Sequence, residues 1–124
     1  MSTTKYTADH EWLRVDGDTV TIGITAYAQE QLGDIVFVQL PAVGSRLAQG
    51  VEAVVIESVK AAADIKMPIA GEVVAVNETL QDAPETVNGD PMGEGWFLEV
   101  RPDRPEDLDE LLDQAAYDQL TAQS

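Results

Sequence analysis

The chain has no cysteine. That excludes a disulfide, a thiolate nucleophile and thiolate ligation of a metal, so any sulfur redox chemistry must arrive with a cofactor. Histidine is almost as scarce: His10 stands alone, which leaves little from which to build a nucleophilic dyad or triad. A site assembled from Ser58, His10 and any one of 23 acids would match by abundance alone. The spacing therefore marks no catalytic residue and no metal site, and no glycine-rich phosphate loop is present. Cations are few as well. Lys and Arg number 7 against 23 Asp and Glu, a formal charge of -16, which argues against nucleic acid and anionic membranes as partners. Such acidity favours solubility and steers the chain toward basic protein surfaces. With no signal-peptide core, no Arg-rich leader and no apolar run of bilayer length, the sequence reads as a mature cytoplasmic protein.

What is present suits a folded domain. Of the 124 residues 44% are hydrophobic and 6% aromatic, enough for one core, so a single domain over 1–124 is expected, with its body at about 6–102. Glu11 to Val15 and Asp18 to Ile24 alternate like strands and are joined across Asp16-Gly17, a hairpin dipeptide. Thr25 is placed to cap a short helix over Ala26 to Leu32, with Gly33 at its exit. Gly33-Asp34-Ile35-Val36-Phe37-Val38 is echoed by Gly71-Glu72-Val73-Val74-Ala75-Val76, which suggests two similar β units. From Pro105 onward, Leu108, Leu111, Leu112, Ala115, Ala116 and Leu120 fall at helical spacing opposite a run of acids. One C-terminal helix over about 105–122, packed on a sheet, is expected there.

The segment from Ala53 to Met67 is less easily read. Its first half looks like a buried strand, whereas Val59 to Ala63 has no turn residue and three alanines that favour helix, so pattern leaves a turn or a helical turn open. Within it Lys60 is a single cation between Glu57 and Asp64. Composition alone would make it an ordinary surface lysine.

The wider pattern resembles a known family. His10-Glu11-Trp12, Gly23-Ile24-Thr25, Leu32 to Val38, Leu40-Pro41, Glu57-Ser58-Val59-Lys60-Ala61, Pro68 to Val73, Val76-Asn77, Val87-Asn88, Asp90-Pro91 and Gly93 to Trp96 occur in the order and spacing of the glycine cleavage system H proteins. These are relatives of the lipoyl and biotinyl carrier domains. The resemblance implies a mainly β fold: a flattened β sandwich, the lipoyl-domain-like barrel-sandwich hybrid, with a short internal helix and a C-terminal helix. It implies a hairpin tip at Lys60, with lipoate in amide linkage to that lysine and Glu57, Ser58, Val59 and Ala61 as the attachment motif. Glu11 and Asp64 are, by position, candidates to hold the ammonium of a loaded arm.

The resemblance further implies a non-catalytic carrier that passes the aminomethyl group of glycine between enzymes. Its expected partners are the pyridoxal-phosphate-dependent glycine decarboxylase (P protein), the tetrahydrofolate-dependent aminomethyltransferase (T protein), dihydrolipoyl dehydrogenase (L protein) and the lipoate-attaching enzymes. Three other readings are weighed: an H-like protein that relays lipoate, a biotinyl carrier and an unmodified acidic binding module. Lys66-Met67 superficially suggests biotin, but Lys66 is almost adjacent to the Pro68 to Gly71 step, whereas a carrier lysine lies well upstream of it, as Lys60 does.

Overall fold

The computed structural model describes residues 3–122. Nine strands form two antiparallel sheets: β1 (Thr3–Tyr6), β2 (Glu11–Asp16), β3 (Thr19–Ile24), β4 (Ile35–Gln39), β5 (Arg46–Leu47), β6 (Glu52–Ser58), β7 (Ala62–Lys66), β8 (Gly71–Val76) and β9 (Leu98–Pro102). Six run in the order β1-β2-β3-β9-β8-β5, and three in the order β4-β6-β7. Leu13, Ile22, Val73, Phe97 and Val100 from the larger sheet side share one core with Val38, Val54, Ile56 and Ile65 from the smaller sheet. Each such side chain, fully buried, contributes about 1.5–3 kcal/mol from its apolar area, so this shared layer holds the two sheets together.

Local chemistry places the elements as expected in the first third. Asp16 pairs with Thr19, which leaves a two-residue loop whose Gly17 sits at φ 62, the positive dihedral that glycine adopts without cost. Thr25 Oγ accepts the Ala28 N–H at 3.3 Å and caps helix α1 (Ala26–Leu32), which exits through Gly33 at φ 78.

Three expectations are revised. The single helix over 105–122 is divided into a 3-10 turn at Pro105–Glu110 and a helix at Gln114–Ala122. Between them Leu112 exchanges two backbone hydrogen bonds with Tyr6, at 2.8 and 2.9 Å, which draws the chain into extended form. Asp113 then restarts the helix by accepting the Ala116 N–H at 2.8 Å. The apolar stripe shifts accordingly: Ala115 is exposed and Tyr117 is the buried side chain. The two Gly-acid-valine segments also differ in placement. Gly33 is a helix exit ahead of β4, whereas Gly71 lies inside β8, where a Cβ would meet the Arg101 carbonyl oxygen at 2.6 Å. Beyond the one internal helix expected, short helices α2 (Thr79–Asp82) and α3 (Thr86–Gly89) precede β9, and the terminal helix Gln114–Ala122 is α4. No helix among the described residues is long and apolar enough to cross a membrane.

Candidate functional site

Strands β6 and β7 pair as far as Glu57 with Ala62, so the chain must reverse within a few residues. Ser58 closes the reversal. Its N–H donates to the Ala61 carbonyl at 2.8 Å, while its hydroxyl donates to the same carbonyl at 3.0 Å and accepts from the N–H groups of Lys60 and Ala61 at 3.2 and 3.1 Å. A serine side chain thereby supplies the turn chemistry that the absence of Gly, Pro and Asn had hidden. The helical leaning of the alanines is overridden, and Ala62 and Ala63 enter β7. The Val59 N–H donates to the Asp34 carbonyl at 3.0 Å, tying the tip to the start of β4.

Val59, Lys60 and Ala61 are all exposed at this tip, and Glu57 is exposed at its edge. The Lys60 stem lies along Gly33: a Cβ there would stand 3.2 Å from Lys60 Cε and 3.7 Å from Nζ. Asn88 fixes that bend by donating from Nδ2 to the Gly33 carbonyl and accepting the Ile35 N–H on Oδ1, both at 2.8 Å. The amine is accordingly presented from a hydrogen-bonded root. Lys66, by contrast, sits at the far end of β7 opposite Glu52, which gives it no tip to project from.

Glu11 and Asp64 come together on one cavity of about 340 Å³, with Asp9, His10, Gln31 and Lys66 at its polar margins and Ile24, Leu32, Ile56 and Ile65 among its apolar walls. Lys60 does not line it. Asp64 lies four residues along the chain from Lys60, a span of at most about 13 Å were the segment fully extended. Glu11 also borders a second cavity, of about 380 Å³, formed with Tyr6, Thr7, Gly50, Met67, Pro68 and Leu112.

The two carboxylates differ in setting. Asp64 is exposed, whereas Glu11 is only 5% exposed and accepts the Thr7 hydroxyl at 3.1 Å. Burial pushes the Glu11 carboxyl up to about 7 and the neighbouring Asp9 charge adds to this, against the opposing hydrogen bonds from Thr7 and the Lys66 backbone. Just before it, His10 adopts φ 69, the positive-φ residue that is not glycine among those described. A left-handed conformation of this kind costs on the order of 1–2 kcal/mol and persists because the surroundings hold it.

Those surroundings include residues to which the sequence assigned no role at this site. His10 Nδ1 lies 2.8 Å from the Tyr117 hydroxyl, which lies 2.7 Å from Thr25 Oγ, and Tyr27 packs against the imidazole at 4.4 Å between ring centroids. The accessible signal was weak: Tyr117 appears as one aromatic among acids in the terminal segment. Ser58 and His10 are each engaged elsewhere and do not form a joint site.

Comparison with known proteins decides the family. The family model described as glycine cleavage H-protein matches residues 4–124. The chain belongs to the glycine cleavage H-protein family. It is 59% identical over 117 residues to a glycine cleavage system H protein of Beijerinckia indica, covering 94% of each. Identity to glycine cleavage system H protein 1 of Pseudomonas aeruginosa is 60% over 121 residues, covering 97% of this chain and 94% of the relative. A crystal structure of a glycine cleavage system H protein from Mycobacterium marinum superimposes with a TM-score of 0.87 at 40% identity, covering 96% of each chain. As a member of this family the protein is a lipoyl carrier of the glycine cleavage system and a carrier subunit rather than a catalyst, and membership implies the system's other subunits as partners.

Proposed function

We propose that Lys60 carries lipoate in amide linkage and that the cavity bordered by Glu11 and Asp64 receives the loaded arm. The observation that carries this reading is the placement of one exposed amine at a stitched hairpin tip, its stem against a glycine, on the hairpin whose second strand lends Ala63, Asp64 and Ile65 to a cavity that holds a buried carboxyl. Lysine suits the role because its four-carbon stem lifts the nitrogen clear of the fold, and acylation removes its charge. Stem and lipoyl chain together extend on the order of 10–15 Å in ordinary bond lengths, no shorter than the greatest span that four residues can place between Lys60 and Asp64. When bound, lipoate would supply a disulfide that is reduced as one sulfur takes up cargo, and the dithiol left after release would be reoxidised by the dehydrogenase.

The chain's own residues hold and shelter. Ile24, Leu32, Ile56 and Ile65 exclude water, which slows hydrolysis of a labile carbon–sulfur bond. Glu11 and Asp64 accept hydrogen bonds from the cargo's ammonium. An ammonium arriving beside Glu11 favours the ionised carboxylate, so the raised affinity of that carboxyl for its proton is lowered by loading. The proposed partners visited in turn are the glycine decarboxylase, the aminomethyltransferase and dihydrolipoyl dehydrogenase, after a lipoate-attaching enzyme has acted. The acidic surface favours docking onto faces that are basic.

Incubating the lipoylated protein with purified decarboxylase and glycine tests the carrier reading. Cargo appearing on the Lys60 peptide by mass spectrometry is expected; a lipoylated protein that stays unloaded while the decarboxylase is active on another H protein would instead favour a lipoate relay.

A further inference from the structure

Helix α4 reaches the arm cavity through a chain of hydroxyl and imidazole groups. Tyr117 is buried, its ring stacked on Tyr6 at 4.7 Å with the planes 12° apart, and its hydroxyl stands between Thr25 and His10 at 2.7 and 2.8 Å. Thr25 is buried and its oxygen already accepts the Ala28 N–H. Two orders satisfy these groups: Thr25 donates to Tyr117 and Tyr117 to His10 Nδ1, or His10 Nδ1–H donates to Tyr117 and Tyr117 to Thr25, whose oxygen has a second lone pair; in either one the Tyr117 bond fixes the His10 tautomer. His10 lines the cavity, has a positive φ and directly precedes Glu11. Its backbone is pinned by the His10 N–H to the Thr7 carbonyl at 3.1 Å and by the Thr25 N–H to the His10 carbonyl at 3.0 Å. Thr7 is also the donor to Glu11.

We infer that Tyr117 is a positioning residue for the loaded arm: by hydrogen bonding to His10 it holds the left-handed turn that aims Glu11 into the cavity, so the C-terminal helix sets how well the cargo is sheltered. This rests on the reading of Glu11 as the cargo's partner. Because Tyr117 does not itself line the cavity, its action passes through His10. Aromatic packing against Tyr6 is a separate contribution and survives loss of the hydroxyl.

Tyr117→Phe keeps the stack and removes only the hydroxyl. In the unloaded protein, nitrogen-15 spectra of the His10 ring are expected to show one dominant tautomer in the wild type and a changed tautomer ratio in Tyr117→Phe. In the lipoylated and loaded protein, Tyr117→Phe is expected to lose cargo to hydrolysis about threefold to tenfold faster, the span of one lost hydrogen bond. A background of His10→Gly, which adopts positive φ freely and has no ring, separates this from a general loosening of α4. There Tyr117→Phe is expected to have no further effect. An equal acceleration in both backgrounds, an unchanged tautomer, or a wild-type loss rate in Tyr117→Phe when Glu11→Gln loses cargo faster would each overturn the inference while leaving the reading of Glu11 intact. Wild-type loss rates in both Tyr117→Phe and Glu11→Gln would remove that reading, and the inference with it.

Discussion

Gly33 and Lys60 are fitted to one another: a Cβ on the glycine would stand 3.2 Å from Cε of the lysine. The same glycine has φ 78 and ψ -152, a region open in practice to glycine alone. Gly33→Ala is therefore expected to lose about 1–3 kcal/mol of stability and to displace the lysine stem. Thermal unfolding should show the loss as a midpoint about 4–12 °C lower, and lipoylation by a purified ligase should slow in the same variant.

Asn88 acts on that bend from α3 by satisfying one acceptor and one donor of the β4 entry. Asn88→Ala leaves both backbone groups without their partner and is expected to cost about 2–4 kcal/mol. Asn88→Asp keeps the acceptor for Ile35 and gives up the donor to Gly33, so its loss in urea unfolding should be intermediate.

Ser58 illustrates how much of this site was legible beforehand and where pattern failed. The hairpin at Gly17 and the helix between Thr25 and Gly33 are dictated by neighbours in sequence, and both form as their caps and turn residues indicate. The reversal at Lys60 is not local in that sense. It depends on Ser58 Oγ, the Asp34 carbonyl and the pairing of Glu57 with Ala62, none of which a propensity scale registers. The break at Leu112 was hidden for a related reason, since a bridge to Tyr6 more than a hundred residues away outweighs helical periodicity. The resemblance singled out Lys60, Glu11 and Asp64, but the burial of Glu11 and its link through His10 to Tyr117 exist only once β2, α1 and α4 are assembled.

Ser58→Ala removes the acceptor of two exposed N–H groups that water can satisfy. Stability should change by less than about 1 kcal/mol, while the loosened tip should be a poorer substrate for lipoylation. Steady-state ligase kinetics would check this, and Ser58→Thr, which retains the hydroxyl, should restore most of the rate.

Glu11 gives a dependence on pH of defined sign. Its folded-state carboxyl keeps the proton up to about 7, against an ordinary value of 4.5. Across that window the native state binds more protons than the unfolded chain, so the stability due to this group falls as the pH rises from about 4.5 to about 7. Outside the window the contribution is flat. The full change is on the order of 3 kcal/mol. Glu11→Gln should gain on the wild type over that pH range in chemical denaturation, whereas a constant difference between the two would contradict the assigned burial.

The most direct measurement is the intact mass and peptide map of the folded protein after incubation with a lipoate ligase, lipoate and ATP. The account predicts one lipoyl group, located on Lys60, and none on Lys60→Arg. A wild-type Lys60 left bare while the ligase modifies another H protein, or a lipoyl group found on Lys5 or Lys66, would contradict it.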